Sequence, residues 1–416
     1  MPSPGRFHII NLGCKVNRAE SDTIAATLMA AGAEPSSPEE STVIVVNTCT
    51  VTAEADAKTR KAVRRAVRAN PHAVIVTGCL AALDPQGLES LGDSVVAEPS
   101  KPKAAQLALK ACQTTCPLDT PDTIAIRSGS AFKARMDIKI QDGCDNRCAY
   151  CIVWKARGAA SSLPWNEVVD QIGRASSCGV REVVLTGINL GAYDDGGVRL
   201  PELICRVLEG TDIGRLRVSS IEPPHVDESL AAALAAHPER LCAHFHIPLQ
   251  SGCDRTLAAM GRTYDSAAFE QGIAALRSVR PDVSVTTDVI AGFPGETDDD
   301  HAASLAFCER IGFSRMHVFR YSRRPGTVAD AMEGQVAEEV KARRAHELRD
   351  LAAAMSAADA RARIGAEELV LALGEHRGMS ESYHEVRTDV PLREGDLVRM
   401  RIVAIDQDGR AVAEPV

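Results

Sequence analysis

Gly143-Cys-Asp-Asn-Arg-Cys-Ala-Tyr-Cys151 is the most informative stretch of this chain, because it sets Cys144, Cys148 and Cys151 in a C-x3-C-x2-C spacing. Three thiolates this close can converge on one metal centre, and three is one ligand fewer than a tetrahedral site or a [4Fe–4S] cube takes. An iron without a protein ligand is open to a small molecule, which indicates catalysis. The alternatives are half of a structural zinc site or a loop of unrelated cysteines; zinc sites favour paired C-x2-C units.

The first hundred residues repeat a pattern in which a strand-like run ends in a cysteine and a helix-like stretch follows. The strand-like runs are Phe7–Cys14, Thr42–Cys49 and Ala73–Cys79, with helices over about Ala19–Ala31 and Ala53–Ala69. Such alternation predicts a parallel sheet, whose functional groups collect beyond the carboxyl ends of the strands. Cys14, Cys49 and Cys79 therefore form a second candidate metal site, with buried cysteines at strand ends as the alternative. Gly13 and Gly78 precede two of them, which suits close backbone approach.

From about Arg135 the alternation resumes and continues through six strand-like runs, which predicts a partial barrel with its chemistry at the carboxyl ends of the strands. These runs are Met136–Ile140, Glu182–Ile188, Arg215–Ile221, His244–Leu249, Ser284–Ile290 and Arg315–Tyr321, and the helices between them include Trp165–Ser177, Ser266–Val279 and Asp298–Ile311. A charged helix, Glu338–Ile364, leads to three short strand-like runs with glycine turn signals, which indicate a small β-barrel. Those runs are Glu368–Leu373, Tyr383–Val390 and Leu397–Ile405.

We therefore expect an α/β protein with three domains: an N-terminal parallel α/β domain, a partial (β/α)6 barrel and a small C-terminal β-barrel. The expected bounds are residues 1–110, 132–362 and 363–416, with a linker over 111–131. The linker prediction rests on Pro, Ser, Thr and Asp dispersed from about Pro99 to Ala131. Cys112 and Cys116 lie in this stretch and are interpreted as incidental.

Composition points to an ordinary globular protein in a reducing compartment. The 416 residues carry a net charge of −9 and 13 cysteines, with 45% apolar and 25% charged residues. No apolar run reaches the roughly 18 residues of a membrane span, and Met1–Arg6 lacks the succession of a signal peptide. We expect a cytoplasmic protein without membrane contact, whose cysteines serve metals or catalysis. The net charge gives no support for nucleic-acid binding. Any RNA contact must be local. One helix-like stretch is basic, with Lys58, Arg60, Lys61, Arg64, Arg65 and Arg68, and a solvated helix face is its alternative interpretation.

Both cysteine triads and several long motifs, in this order, resemble the methylthiotransferase family of radical S-adenosylmethionine (SAM) proteins over essentially the whole chain. The motifs include Asn11-Leu-Gly-Cys-Lys-Val-Asn17, Asn47-Thr-Cys-Thr-Val-Thr52, Ser219-Ser-Ile-Glu-Pro223, His246-Ile-Pro-Leu-Gln-Ser-Gly252 and Thr287-Asp-Val-Ile-Ala-Gly-Phe-Pro-Gly-Glu296. The resemblance implies two [4Fe–4S] clusters and SAM. The cluster at Cys144, Cys148 and Cys151 would cleave SAM to a radical that abstracts hydrogen from the substrate. The cluster at Cys14, Cys49 and Cys79 would carry the sulfur, to be methylated by a second SAM.

The same resemblance implies a set of residues around SAM. Tyr150 would lie near the adenine, and the others stand at strand ends: Thr186, Gly187, Ser219, Glu222, Gln250 and Asp288. For each, a polar residue that caps a strand end is the alternative interpretation.

Within the family, the motif Asn11–Asn17 most resembles the branch that methylthiolates N6-threonylcarbamoyladenosine at position 37 of tRNA. The alternatives are methylthiolation of N6-isopentenyladenosine 37 or of a ribosomal-protein aspartate, and an iron–sulfur RNA-binding sensor without catalysis. The implied partners are the tRNA anticodon arm, a reducing protein such as flavodoxin or ferredoxin, and a sulfur donor. The tail resembles the RNA-binding TRAM domain, although from Ala366 onward it holds six arginines against eleven acidic residues. Its candidate phosphate contacts are Arg377, Arg387, Arg393, Arg399, Arg401 and Arg410.

Overall fold

The computed structural model describes residues 5–112 and 134–416. The first range forms a five-stranded parallel sheet in the order β2-β1-β3-β4-β5, flanked by helices. Its strands are β1 (Arg6–Asn11), β2 (Glu34–Pro35), β3 (Val43–Thr48), β4 (Ala73–Gly78) and β5 (Val95–Ala97). Its helices are α1 (Lys15–Ala30), α2 (Ala53–Arg68), α3 (Cys79–Leu83), α4 (Pro85–Glu89) and α5 (Lys101–Ala111).

The central strands of this sheet are apolar along their length because helices cover both faces. On one face, α1 and α5 pack through residues such as Leu28 and Ala108 against Val43 and Val45 of β3. On the other face, α2 and α4 enclose Ile44 and Val46, the alternate residues of the same strand. The predicted parallel α/β domain is therefore confirmed.

The second range begins with six parallel strands that form one curved sheet, as predicted. Two three-stranded sheets, β12-β9-β6 and β13-β14-β15, are joined by the bridges Leu216–Leu241 and Ser220–His246. The strands are β6 (Arg135–Lys139), β9 (Glu182–Thr186), β12 (Arg215–Val218), β13 (His244–His246), β14 (Ser284–Ala291) and β15 (Arg315–Arg320). Short strands β7 (Gln141–Asp142), β8 (Ser161–Ser162), β10 (Asp194–Asp195) and β11 (Val198–Arg199) form two small hairpin-like pairs beside it.

Helices surround this curved sheet and close its outer face. They are α6 (Val153–Arg157), α7 (Trp165–Ser177), α8 (Leu200–Gly210), α9 (Glu228–Ala236), α10 (Asp254–Ala259), α11 (Ser266–Val279), α12 (Asp298–Ile311), α13 (Val328–Ala331) and α14 (Glu338–Ala362). Helix α12 begins with a reciprocal capping box between Thr297 and Asp300, which satisfies amide donors of its first turn. No helix of the described ranges is both long and apolar enough to cross a bilayer.

The C-terminal residues form a closed five-stranded barrel, β16-β17-β18-β20-β19. Its strands are β16 (Glu367–Gly374), β17 (Arg377–Ser380), β18 (Glu385–Arg387), β19 (Leu397–Ile405) and β20 (Ala411–Pro415). Val370, Val386, Met400 and Ile402 fill the interior. Closure leaves no free sheet edge, which is how so small a β domain avoids edge-to-edge pairing.

Two buried arginines attach this small barrel to the amino ends of the larger sheet. Arg215 donates to the carbonyls of Leu369 and Met379 at 2.6 and 2.8 Å. Arg217 donates to the carbonyls of Glu381 and Ser380, both at 2.9 Å. Both guanidinium groups lie against buried Glu182; burial opposes its ionisation, but the adjacent arginines prevail and lower its pKa. These contacts therefore hold the turn after β17 against the amino end of β12 in the larger sheet.

Three local predictions were wrong. Helix α1 begins at Lys15 rather than near Ala19, because Cys14 has an extended backbone and occupies the N-cap position. Residues 101–111, predicted as the start of irregular chain after Pro99, form helix α5, whose small alanines are buried against the first sheet. Tyr383–Val390 is not a continuous strand, because Tyr383 adopts φ +72° and turns the chain before β18. Cys112 is buried at the end of α5, and Cys116 with most of the predicted linker lies outside the described residues.

Candidate functional site

The N-terminal cysteines gather beyond the carboxyl ends of three neighbouring strands, β1, β3 and β4. Cys14 caps α1, Cys49 follows β3, and Cys79 opens α3. Burial raises the pKa of Cys14 and Cys49, and other thiols of this set raise it further. The strand order thus converges cysteines that are distant in sequence, as predicted.

Backbone geometry at two glycines allows this convergence. Gly13 has φ +111°, and a Cβ there would lie 2.7 Å from the Cβ of Cys49. Gly78 has φ +99°, and a Cβ there would lie 2.5 Å from the carbonyl oxygen of Thr48. Any side chain at either position would force these loops apart, since L-residues rarely adopt such φ values. The prediction made for both glycines is therefore confirmed.

Asn17 of the motif Asn11–Asn17 holds the same loops together from inside. Its amide nitrogen donates to the carbonyls of Leu12 and Thr48, each at 2.8 Å. The side-chain amide of Asn47 in turn donates a hydrogen bond to the backbone carbonyl of Asn17 at 2.8 Å. The two asparagines therefore satisfy backbone carbonyls that the cysteine loops would otherwise leave unpaired in a buried place.

The second cysteine loop follows β6 and β7 directly. Gly143 turns the chain at φ +68°, and the Cys144 amide donates to the carbonyl of Gly158 at 3.1 Å. The backbone amide of Val153 donates to the sulfur of Cys151 at 3.4 Å. Burial, and then the neighbouring Cys148 and Cys144, raise the pKa of Cys151 to about 11. This loop is compact and stands at the carboxyl end of the first barrel strand.

Arg262 links this loop to the barrel, and no pattern in the sequence marks it. Its guanidinium donates to the sulfur of Cys148 at 3.0 Å and to the hydroxyl of Tyr150 at 3.5 Å. It also forms an ion pair of 3.0 Å with Glu222, whose other oxygen accepts from Asn146 at 2.6 Å. Arg262 thus connects Glu222 to Tyr150 and Cys148 of the loop, and both Glu222 and Tyr150 are predicted to contact SAM.

Arg157 joins the two cysteine triads. It is the last residue of α6, just beyond the second loop, and its Nε lies 3.4 Å from the sulfur of Cys79. Its Nη2 donates to Asn17 at 2.7 Å, and its Nη1 contacts the carboxylates of Glu20 and Asp142. Burial opposes ionisation of Glu20, but Arg157 with Lys101 and Lys139 outweighs it and lowers the pKa of Glu20 to about 2. This buried ionic network fixes one triad relative to the other.

A cavity of about 530 Å³ lies inside the barrel beside the N-terminal triad, which contains Cys14. It is lined by Cys14 and by four of the predicted SAM contacts: Thr186, Gly187, Ser219 and Asp288. The structure does not bring Gln250 into the lining; this residue has φ +68°, and its backbone bonds with Asp288 and Ile290. Four predicted residues therefore share one cavity, two are tied to the cysteine loop, and Gln250 stands apart.

The far end of this cavity is closed by Tyr383 from the C-terminal barrel, which sequence reasoning missed. Its ring stacks on His244 with centroids 4.5 Å apart, and Lys15 and Arg217 approach its face at 5.4 and 5.0 Å. Burial raises the pKa of the phenol, but Lys15 and Arg135 prevail and lower it overall. Positive φ at a tyrosine is strained and persists only where contacts over-determine it. No local pattern in the sequence marks this residue.

The donors of each triad suit an iron–sulfur cluster. Each triad offers three thiols. In the N-terminal triad a hydrogen-bond donor faces the sulfur of Cys79, and in the other triad donors face the sulfurs of Cys148 and Cys151. Such donors stabilise thiolates and tune cluster potentials. Among the described residues, no three His, Cys, Asp or Glu side chains converge tightly enough for a single metal ion. A [4Fe–4S] cube does not require that, because each cysteine binds a different iron.

Family models and curated relatives match the chain over most of its length. The Radical SAM superfamily matches residues 138–308, and Uncharacterized protein family UPF0004 matches residues 6–97. Threonylcarbamoyladenosine tRNA methylthiotransferase MtaB of Thermotoga maritima is 35% identical, covering 96% of this chain and 95% of that protein. The Bacillus subtilis protein of the same name is 37% identical over 82% and 78%. The tRNA-2-methylthio-N(6)-dimethylallyladenosine synthase of Nitratidesulfovibrio vulgaris is 32% identical over 83% and 81%.

A solved structure agrees with the fold. The radical SAM methyltransferase TsrM of Kitasatospora setae, with cobalamin and a [4Fe–4S] cluster bound, superposes with a TM-score of 0.59 at 16% identity, covering 79% of this chain and 77% of that one. At this identity the likeness concerns architecture alone. Identity above 30% over nearly the whole length, together with the matched radical SAM region, decides the family. The chain belongs to the methylthiotransferase family of radical SAM, iron–sulfur enzymes.

Proposed function

We propose that this chain attaches a methylthio group to carbon 2 of N6-threonylcarbamoyladenosine at position 37 of tRNA. The observation that carries this proposal is the identity of up to 37% with proteins named for that reaction, extending to 96% of the chain. The dimethylallyladenosine relative is 32% identical over 83%. The motif Asn11–Asn17 supports the same branch. The isopentenyladenosine and ribosomal-protein alternatives are not favoured.

Each cysteine triad is proposed to hold one [4Fe–4S] cluster: Cys144, Cys148 and Cys151 the first, and Cys14, Cys49 and Cys79 the second. When bound, the first supplies the electron that cleaves SAM to a hydrogen-abstracting radical, and the second supplies sulfur. A C–H bond of an aromatic base is neither acidic nor electrophilic, so acid–base groups of the protein alone cannot replace it. The task left to the chain is to position these groups and to exclude water.

The remaining residues are proposed to do this positioning. Thr186, Gly187, Ser219 and Asp288 line the cavity where SAM and the target base would meet, and polar atoms there can hold the amino and carboxylate groups of SAM. Tyr150, Glu222 and Gln250, which lie outside the cavity lining, are proposed to complete the SAM set. Arg262 contacts both Tyr150 of the cysteine loop and Glu222, and is proposed to orient them relative to each other.

Water exclusion and spacing are proposed for two residues from outside the barrel wall. Tyr383 blocks the amino end of the cavity, which keeps solvent from a reactive intermediate. Arg157 fixes the distance between the triads, on which transfer between their groups depends.

We further propose that a reducing protein such as flavodoxin or ferredoxin and a separate sulfur donor serve this enzyme. Radical cleavage of SAM consumes an electron and the product retains sulfur, so both must be resupplied. The TRAM-like barrel and the anticodon arm are proposed to meet near the cavity mouth. The reaction is placed in the cytoplasm, where tRNA is found and thiols stay reduced.

Nucleoside mass spectrometry of tRNA tests the substrate. A strain without this protein should lack the methylthio form of threonylcarbamoyladenosine and retain the unmethylthiolated nucleoside, and the wild-type gene should restore it. Complementation with Cys144→Ala should not. Loss of the methylthio form of isopentenyladenosine instead would overturn the substrate assignment. Absence of 5′-deoxyadenosine release from SAM by the reconstituted protein would favour the iron–sulfur sensor.

Iron counting tests the two-cluster assignment. Anaerobically reconstituted protein should hold about eight irons, and alanine replacement of either triad should leave about four. Loss of Cys144, Cys148 and Cys151 should abolish SAM cleavage, whereas loss of Cys14, Cys49 and Cys79 should leave it intact. A matched control replaces three cysteines outside both triads, Cys178, Cys205 and Cys253, and should keep about eight. Full iron content after removal of Cys14, Cys49 and Cys79 would contradict the assignment.

A further inference from the structure

We propose that the groove between helix α2 and strand β1 binds the phosphate backbone of the substrate RNA strand. The inference rests on the proposed function, because it concerns how the same tRNA is held outside the cavity. It moves the main electrostatic contact from the C-terminal barrel, where the TRAM resemblance puts it, to the N-terminal domain.

The groove arises from the way α2 covers the first sheet. This helix packs through Val63 and Ala66 over β3 and β4, and leaves β1 only partly covered on the same face, where Ile10 is partly buried. The resulting groove has a volume of about 790 Å³. His8 and Ile10 of β1 line one side, and Pro38 and Glu39 stand next to them. The other side is lined by four basic residues of α2: Lys58, Lys61, Arg65 and Arg68. An apolar strip beside a cationic wall suits a nucleic-acid strand, whose bases and phosphates differ in the same way.

Four cations on α2 are exposed and unpaired. Lys61, Arg64, Arg65 and Arg68 stand at positions i, i+3, i+4 and i+7, so they share one helix face. Within residues 5–112 and 134–416, none of these side chains has a hydrogen-bond or ion-pair partner. The other two cations of the helix differ: Lys58 pairs with Glu54 and Arg60 with Asp84. Glu39 is the acidic side chain within the groove lining. Unpaired cations gain most from phosphates, because no existing ion pair must be broken.

The arginines of the C-terminal barrel offer a direct comparison, since four of the six candidates are already paired with carboxylates, including Arg387 at 3.8 Å from Asp406. Arg399 pairs with Glu239 at 2.7 Å and Arg401 with Glu367 at 2.6 Å. Arg410 contacts Glu385 at 3.2 Å and Asp408 at 2.8 Å. A phosphate would have to displace these carboxylates. In a chain of net charge −9, the row of Lys61, Arg64, Arg65 and Arg68, here called the α2 stripe, is therefore the surface with the clearest complementarity to RNA.

The stripe also starts at the right place. Helix α2 begins four residues after Cys49, and its first amide, on Ala53, donates to Ser322 of the barrel at 3.2 Å. Its 16 residues extend about 24 Å away from the candidate site. Lys61 to Arg68 span about 10 Å of that axis, the rise of about three nucleotides on one strand. A strand that leaves the cavity with its base inserted can thus follow the helix.

Salt-dependent binding separates this proposal from its rivals. The probe is a synthetic anticodon stem–loop carrying N6-threonylcarbamoyladenosine, bound to the reconstituted holoenzyme at several salt concentrations. The test variant replaces Lys61, Arg64, Arg65 and Arg68 by Ala, which preserves helix propensity at exposed positions. The control variant replaces Arg399, Arg401 and Arg410 by Ala. Both variants should release 5′-deoxyadenosine from SAM without RNA as the wild type does, which verifies an intact core.

The α2 variant should lower the slope of log affinity against log salt by about 2 to 3, because each lost phosphate contact removes about 0.7 to 0.9. The control should change it by less than about one. An unchanged slope in the α2 variant, or equal losses in both, would overturn the inference. So would normal RNA binding combined with lost reduction by flavodoxin, which would make the stripe a docking site for an acidic protein. Failure of the wild type to bind the stem–loop would instead contradict the proposed function.

Discussion

Replacing Arg157 by Met should destabilise the apoprotein by about 3 kcal/mol. The guanidinium is 6% exposed and its partner Glu20 is 4% exposed, so the change leaves a nearly buried carboxylate with fewer partners. Removal of one member of a buried pair costs about 3–5 kcal/mol. Glu20 keeps Lys139 at 2.9 Å and Lys101 at 3.4 Å, which places the cost at the lower end. Arg157→Lys keeps the charge but loses the fork of donors, and should cost about 1–2 kcal/mol.

The assay is guanidinium unfolding of the reduced apoprotein, followed by tryptophan fluorescence. Trp154 lies in α6 with Arg157, so its signal reports the segment that the network holds. A protein of several domains need not unfold in one step, and the comparison uses the transition that this signal follows. Arg206→Met is the matched control: its partner Glu202 is 51% exposed, and loss of this surface pair should cost less than about 1 kcal/mol.

A double-mutant cycle with Glu20→Gln completes the test. Removing both partners leaves less unpaired buried charge than removing one, so the double variant should be more stable than the sum of the single changes predicts, by at least about 1 kcal/mol. Additive effects, or a cost of Arg157→Met equal to that of Arg206→Met, would refute the idea that this network fixes the two triads relative to each other.

Three further predictions concern the same region. Folding lowers the pKa of Glu20 from 4.5 to about 2, so ionised Glu20 stabilises the folded state fully above about pH 4.5, and this stabilisation is lost as the pH falls toward 2. The free energy of unfolding should therefore fall by up to about 3 kcal/mol over this range, and Glu20→Gln should make it less dependent on pH. Tyr383→Ala should open the cavity and raise the 5′-deoxyadenosine formed per methylthio product severalfold, while Tyr383→Phe keeps the ring and the wild-type ratio; equal ratios in all three would contradict the closing role. Arg262→Gln removes the donor to Cys148 and should shift the potential of the first cluster to more negative values in an electron paramagnetic resonance titration; an unchanged potential would exclude that contact as a tuning element.

Much of the architecture was predictable because it follows local periodicity. The bounds predicted for α7, α11 and α12 agree with the structure, since each combines an apolar face with clear end signals; α11, for example, begins after Asp265, whose side chain caps it. Helix α5 was missed because its alanines and prolines resemble irregular chain until the sheet buries them. The strand predicted from Tyr383 failed for a related reason: its φ of +72° depends on a stack with His244, a residue of another domain.

In the candidate site, too, some features follow from local sequence patterns and others depend on tertiary contacts. Both cysteine triads were predictable from the chain alone, because one is a short spacing and the other follows from strands that end at a common edge. The family resemblance that the relatives confirmed was predictable in the same way. The contacts that join the triads became visible only in the folded protein. Arg157 meets Asn17 across 140 residues, and Tyr383 reaches the cavity from a separate barrel. Such contacts form between single side chains after the elements have packed, so no repeating pattern in the chain records them.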